Sequence, residues 1–151
     1  MKPHTPLAAL ALTFILQPAI ADVWEVMDQG IVTKFSTGIT LAVMFEADAA
    51  CDEASVLVLG NPNISWIGMN VDGTDLGAAE ATLVEDTIFV SLTKAGLSAI
   101  AHGNNWLMTT DQGNLPISLK GSRKALIEAY DNCMFMQTYK RIFPDAKLVE
   151  F

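Results

Sequence analysis

Residues 117–133, ISLKGSRKALIEAYDNC, decide the fold of this chain. The stretch passes from an alternating strand, through Gly121, into a helix that carries Cys133. Ser122 is predicted to cap the start of the helix, since a hydroxyl side chain can accept from the first unpaired backbone N–H groups. An apolar stripe at spacings of three and four indicates a helix with one buried face. The stripe consists of Leu126, Ala129, Tyr130 and Cys133. The helix is predicted to end several residues before Pro144.

The two cysteines, Cys51 and Cys133, are predicted to form a disulfide. An even number of cysteines is typical of disulfide-bonded exported proteins, and the alternative, a metal-binding or redox pair, lacks the usual close CxxC spacing. A bond across 82 positions is worth roughly 4–5 kcal/mol in the chain-entropy model. It would fasten the last helix to the strand that follows Cys51.

The N-terminus predicts an exported protein. A weakly positive start is followed by an apolar run over residues 7–16 and by the small residues of AIA at 19–21. This pattern is typical of a secretory signal peptide over residues 1–21. The alternative, a transmembrane anchor, needs about 20 apolar residues, more than this run provides. We therefore expect one exported domain over residues 22–151, located in the periplasm or secreted.

The charge of the exported part is uneven. Residues 22–151 hold eight cations and 17 carboxylates, a formal net charge of −9. Residues 22–112 hold two cations and 13 carboxylates, whereas residues 113–151 hold six cations and four carboxylates. Most of this surface would repel nucleic acid, which excludes it as the expected partner.

The middle of the chain is predicted to form strands. ITLAVMFEA, at 39–47, places Ile39, Leu41, Val43 and Phe45 on one face. ASVLVLG at 54–60 and ISWIGMNV at 64–71 predict a hairpin joined by the four-residue loop GNPN at 60–63. DGTDLG at 72–77 predicts a turn, and EATLVE and TIFVSLT predict further strands.

The last part of the chain alternates helix and strand signals. KAGLSAIAHG predicts one or two helical turns ended by Gly103. NWLMTT and LPISLK predict strands joined by the turn DQGN. About eight strands and one long terminal helix indicate the α+β class, a β-rich antiparallel sandwich-like domain with a single disulfide.

Catalysis would depend on His102, the one histidine of residues 22–151. It lies at the end of a predicted helix, and the sequence contains no GxSxG nucleophile motif with which it could act. A histidine at a helix C-terminus is more often a favourable partner of the helix dipole than a catalytic base. A carboxylate pair is the other enzymatic option, but sequence alone does not bring any two of the 17 carboxylates together. We expect no catalytic residue and no cofactor.

The acidic stretch NVDGTDLGAAE raises the question of calcium. Asn70, Asp72, Asp75 and Glu80 offer oxygen ligands, but an EF-hand loop starting at Asn70 would need glycine where Asp75 stands and glutamate where Ala81 stands. A turn rich in aspartate and glycine is the expected structure. No metal ligand is predicted, although calcium binding at 70–80 stays open.

Five residues are candidates for binding a partner. The cations Lys120, Arg123 and Lys124 flank the start of the last helix, where positive charge opposes the helix dipole and where anions are favoured. Trp66 and Trp106 would support binding if their rings are exposed. A plain solvated basic rim and two core tryptophans are the alternative.

The end of the chain resembles two families of exported bacterial proteins. Leu119, Gly121, Ala125, Leu126 and Cys133 are similar to the closing strand, helix and cysteine of the VasI-like family associated with type VI secretion. SLKG and the helix after it also resemble the invasion-associated locus B family. The region after Cys51 and ITLAVMFEA are loosely similar to the VasI-like family. These are framework positions, so the resemblance implies a fold more than a function.

The sequence predicts a non-enzymatic periplasmic protein that binds another envelope or secreted protein. It would contact its partner through an exposed strand edge or the basic rim of the last helix. A secretion-system accessory factor and an immunity or inhibitor protein are the two concrete forms. The alternative is a small periplasmic hydrolase that uses His102 or a carboxylate pair.

Overall fold

The computed structural model describes residues 24–46, 50–60 and 63–144. The predicted signal peptide at 1–21 lies outside these residues. Ten strands in two antiparallel sheets and two helices are present in the described part. No helix in these ranges combines the length and apolar character needed to cross a bilayer. The prediction of an α+β, β-rich antiparallel sandwich with a terminal helix is confirmed.

The first sheet has six strands in the order β1-β2-β3-β4-β8-β7. Its strands are β1 (Glu25–Met27), β2 (Gly30–Lys34), β3 (Thr40–Phe45), β4 (Ala54–Leu59), β7 (Thr82–Val84) and β8 (Thr87–Leu92). The second has four strands in the order β10-β9-β5-β6. Its strands are β5 (Trp66–Val71), β6 (Thr74–Glu80), β9 (Asn105–Thr110) and β10 (Gly113–Ser118). β7 lies within EATLVE, which the sequence predicts as a strand, whereas β6 was not predicted because most of its first residues belong to the predicted turn DGTDLG.

Branched and apolar side chains on one face of the six-stranded sheet form the core. Leu41 lies opposite Val58, and Val43 lies opposite Val56. These four side chains are almost completely buried, as the alternation in ITLAVMFEA predicts. The four-stranded sheet contributes Ile67, Met69, Val71, Trp106 and Met108 to the same core.

The predicted hairpin between β4 and β5 is wrong. β4 pairs with β3 and β8, whereas β5 pairs with β6 and β9, so the chain passes from one sheet to the other between them. β5 instead turns directly into β6 through Asp72 and Gly73, which have φ values of 51° and 87°. Two consecutive positive φ values are those of the tight hairpin turn that Asp-Gly favours. DGTDLG is therefore a turn only at its first two residues, and the rest is strand.

Helix α1 (Lys94–His102) forms where KAGLSAIAHG predicts it. The Thr93 side chain accepts from the backbone N–H of Gly96 at 3.0 Å. Gly103 ends the helix as predicted, and its N–H donates to the Ala99 carbonyl. A side chain at Gly103 would collide with Val71 and with the Ala99 carbonyl, which explains the glycine at this position.

Helix α2 (Ser122–Ile142) covers the end of the six-stranded sheet formed by β1, β2 and β3. Leu126, Ala129 and Cys133 are buried as predicted, while Tyr130 is 38% exposed and packs edge-on against Phe45. Cys51 and Cys133 form the predicted disulfide, with Cα atoms 6.0 Å apart. The bond fastens α2 to the chain that enters β4.

Two details of α2 differ from the sequence prediction. The N-cap is Gly121, with a φ of 84°, and Ser122 is the first helical residue. The helix continues to Ile142, next to Phe143, instead of ending several residues before Pro144. No strong helix breaker occurs between Cys133 and Pro144, so the local sequence lets the helix continue until the proline restricts it.

The Ser122 hydroxyl joins the two helices. It is buried and donates to the carbonyl oxygen of Ile100 at 2.7 Å. This carbonyl lies in the last turn of α1, where no intrahelical N–H is available to it. Ser122, which the sequence predicts to cap its own helix, therefore donates a hydrogen bond to a free carbonyl at the end of the other helix.

Replacing Ser122 by alanine is expected to lower the free energy of unfolding by about 1–3 kcal/mol, because the buried Ile100 carbonyl loses its donor. Urea unfolding followed by circular dichroism would measure the change. Ser98→Ala, an exposed serine on α1, is the matched control and should stay within about 0.5 kcal/mol of wild type. Equal stability of both variants would contradict the bridging role of the hydroxyl.

Candidate functional site

A groove of about 440 Å³ runs between α1 and α2. Lys94, Leu97 and Ala101 line it from α1, at positions i, i+3 and i+7. The facing wall follows the same spacing on α2 and is formed by Arg123, Leu126, Ile127 and Tyr130. Phe45 and the Cys51 end of the disulfide also line it. Each helix thus presents one cation followed by apolar side chains.

Positive charge is concentrated at this groove. The cations Lys94 and Arg123 line the groove itself, and Lys120 and Lys124 line a cavity next to it that shares Arg123. The structure therefore brings the three predicted cations together. Lys94, one of the two cations of residues 22–112, lines the other end of the same groove, eight positions before His102 and about 12 Å along α1. Sequence reasoning missed Lys94 as a residue of this site. Its position at the start of a predicted helix, like that of Arg123, was the one feature that could have identified it.

The cations of the groove have few acidic neighbours. Within the described residues, no carboxylate oxygen lies within 4.0 Å of the side-chain nitrogens of Lys94, Lys120, Arg123 or Lys124. Asp52 is the one acidic residue that lines the groove. Positive charge next to apolar surface thus has no ion-pair partner among the described residues.

His102 lines this groove but has no catalytic partner in the described part of the chain. Its Nδ1 is 2.9 Å from the carbonyl oxygen of Ser98. Since a carbonyl only accepts, Nδ1–H is the donor and Nε2 is left for other contacts. This bond closes the last turn of α1. No hydroxyl or carboxylate within hydrogen-bonding distance of His102 is found among the described residues.

The acidic stretch at 70–80 is the β5–β6 hairpin, and its side-chain oxygens accept hydrogen bonds from the backbone. The Asp72 carboxylate accepts from the backbone N–H groups of Asn104 and Asn105, at 3.0 and 2.9 Å. Asn70 Oδ1 accepts from Gly73, and Asp75 Oδ1 accepts from Gly77. No group of three or more potential metal-binding side chains occurs in the described ranges. These oxygens therefore hold β5, β6 and β9 in place.

The two candidate tryptophans occupy opposite sides of the four-stranded sheet. Trp106 is 1% exposed and lies beside Val71 in the core, which corrects its assignment as a binding residue. Trp66 is 38% exposed and remains a candidate.

Asp111 fixes the start of β5, the strand that begins with Trp66. Its carboxylate accepts from the Ser65 N–H at 2.9 Å and from the Ser65 hydroxyl at 2.6 Å. These bonds hold the pKa of the Asp111 carboxyl below its usual value.

The end of α2 is a second exposed feature. Residues 134–142 contain no buried side chain, although several are large and apolar. Phe135 is 63% exposed, Ile142 61% and Phe143 53%. The ring of Tyr139 lies between those of Phe135 and Phe143, with centroid distances of 6.3 and 5.2 Å. We call Phe135, Tyr139, Ile142 and Phe143 the aromatic tip.

No known family model, curated protein or solved structure matches this chain.

Proposed function

We propose that this protein is a non-enzymatic exported protein that binds another envelope or secreted protein through the aromatic tip. The observation that carries the proposal is the exposure of Phe135, Ile142 and Phe143 at the end of a helix that is covalently fixed to the domain. Export to the periplasm is supported by the N-terminal sequence pattern and by the disulfide.

The aromatic tip has the character of a recognition helix. Helical segments with apolar residues at i, i+4 and i+7 or i+8 commonly bind in an apolar groove of a partner, and aromatic residues often dominate the binding energy. Phe135, Tyr139 and Phe143 follow the i, i+4, i+8 spacing. The preceding turns of α2 are held by buried contacts and by the disulfide, so little conformational entropy is lost when the tip binds.

The strand edges are less suited to bind a partner strand. β6 is an edge strand that carries Asp75 and Glu80 and contains Gly77 with a φ of 94°. β10, the opposite edge of the same sheet, contains Pro116, which lacks a backbone N–H. Charges, glycine irregularities and proline are common devices that prevent edge-to-edge pairing. Between the two surfaces that the sequence offered, these edges are therefore weaker than the basic rim; the aromatic tip is a different surface, at the other end of α2.

The resemblance of residues 117–133 to exported accessory proteins gives some support to the choice of biological role. A secretion-associated accessory factor is the version that this resemblance supports, and an immunity or inhibitor protein would use the same surface. The second candidate function, a hydrolase, is favoured by the position of His102 at a groove. The hydrogen bond from His102 to Ser98 disfavours it, and so does the absence of a catalytic partner for His102 among the described residues.

The double substitution Phe135→Ser and Phe143→Ser is expected to reduce recovery of the partner at least tenfold, because each lost aromatic anchor costs about 2 kcal/mol or more. The tagged protein would be purified from its own cell envelope and the bound protein identified by mass spectrometry. The stability of the variant should match wild type, since both rings are exposed.

Two further variants make this experiment specific. Leu83→Ser alters a side chain on β7 that is also 52% exposed, and should leave recovery unchanged. His102→Ala should likewise leave recovery and biological activity unchanged. Loss of activity in folded His102→Ala, or unaltered recovery with the double variant, would contradict the proposal.

A further inference from the structure

The groove between α1 and α2 has the features of a ligand site that is separate from the aromatic tip. Its volume of about 440 Å³ is within the usual range for small-molecule sites, about 300–1,000 Å³. Its floor is apolar, with Leu97, Leu126 and Phe45 among the lining residues. A ligand that fits must have an apolar body and a group that is compatible with the positive charge of the groove lining.

The two ends of the groove differ in charge. Ser122 is bonded to Ile100, so the start of α2 meets the end of α1, and Arg123 and His102 lie at this end. Asp52 follows Cys51, which is bonded to Cys133. Cys133 lies ten positions beyond Arg123, about 15 Å along the helix axis. Asp52, the one carboxylate of the lining among the described residues, is therefore at the end far from Arg123. Lys94, at the start of α1, lies toward the same far end and offsets the charge of Asp52, so the net positive charge is at the Arg123 end.

The lining favours a hydrocarbon chain over a peptide. Most of the wall comes from two helices, whose central backbone N–H and C=O groups are already paired within each helix. An extended peptide would find few main-chain partners there and would leave its own polar groups unsatisfied. An alkyl chain requires only apolar contact, which Leu97, Leu126 and Ile127 provide.

From this arrangement we infer that the groove binds a single-chain carboxylate of the fatty-acid class. The carboxylate lies at the end next to Arg123, and the alkyl chain extends toward the disulfide. A guanidinium matches a carboxylate with two parallel hydrogen bonds. Lys120 and Lys124, in the adjoining cavity, add to the positive potential at the same end. The strongly acidic remainder of the chain makes a flat anionic membrane a poor alternative.

The test is calorimetric titration of the purified protein with dodecanoate below its micelle concentration. We expect one molecule bound per protein, and affinity that falls by up to about fourfold for each CH₂ removed in decanoate and octanoate. Dodecanol and acetate, which each lack one half of the ligand, should bind at least about tenfold more weakly than dodecanoate.

Matched variants locate the site. Arg123→Gln should weaken dodecanoate binding about tenfold or more, whereas Arg141→Gln, a cation of the same helix outside the groove, should leave it unchanged. Ile127→Ser should weaken binding, and Ile142→Ser should leave it unchanged. Both isoleucines are more than half exposed, so both variants should fold.

Several results would overturn the inference. These are no binding of dodecanoate, equal binding by wild type and Arg123→Gln, or many molecules bound per protein. Tighter binding of acetate would indicate a simple anion site. Tighter binding of dodecyl phosphate, or of a short leucine-rich peptide with a free C-terminus, would assign the groove to a different ligand.

Discussion

Replacing Trp106 by alanine is expected to lower the free energy of unfolding by about 3–5 kcal/mol, the usual cost of removing a buried aromatic side chain. Trp106 is 1% exposed and lies between Val71 of β5 and Ile117 of β10, both buried. Loss of the ring would leave a cavity between the four-stranded sheet and the rest of the core. Urea unfolding monitored by far-ultraviolet circular dichroism would measure the loss.

Two other substitutions separate packing from polarity. Trp66→Ala should cost clearly less, about 1 kcal/mol, because more than a third of this residue is already exposed. Trp106→Phe should cost about 1 kcal/mol or less, since the buried indole N–H has no hydrogen-bond partner in the described structure and its loss removes an unsatisfied donor. Similar losses for Trp66→Ala and Trp106→Ala would show that Trp106 is not a core residue.

Reduction of the disulfide is expected to lower the free energy of unfolding by about 2–5 kcal/mol. The bond closes a loop of 82 positions, so it strongly restricts the unfolded chain. It is also the covalent link between α2 and the sheets, and both cysteines are buried. Guanidinium unfolding of the wild type, with and without a reducing agent, would measure the effect.

A double Cys51→Ala, Cys133→Ala variant controls for the reducing agent. It should unfold close to the reduced wild type, and its own stability should not respond to reductant. The reduced protein keeps both sulfur atoms, so any difference between the two reports packing and not the cross-link. A reduced wild type as stable as the oxidised form would contradict the role assigned to the bond.

Local sequence signals predicted the elements that depend on near neighbours. The apolar spacing of Leu126, Ala129 and Cys133 predicted α2, and Gly103 predicted the end of α1. The even cysteine count predicted the disulfide. The predicted end of α2 was wrong. The buried face of the helix ends at Cys133, but the residues after it are compatible with a helix and the helix continues.

Pairing between strands could not be predicted in the same way. β4 and β5 are both rich in branched side chains and are adjacent in the chain, so a hairpin between them was consistent with their pattern. The competing signal was Asp72-Gly73, a stronger two-residue turn that pairs β5 with β6. Choosing between two plausible turns requires knowledge of which sheet each strand completes, and this depends on residues far along the chain.

The candidate site was predictable only in part. Lys120, Arg123 and Lys124 were found because they are close in sequence, whereas Lys94 lines the same groove only through the packing of α1 on α2. Trp66 and Trp106 have equivalent sequence contexts in alternating strands. Alternation shows that a strand has two faces without showing which face is inside, so the burial of Trp106 required the structure.

The connection between the two sheets governs how the molecule assembles. β4 and β8 are neighbours in the six-stranded sheet, yet the chain between them, residues 60–86, contributes β5 and β6 to the four-stranded sheet. Neither layer can be excised as a continuous fragment, because each depends on segments on both sides of the other. The domain is thus built to gain or lose its native structure as one cooperative unit, with no half that persists alone.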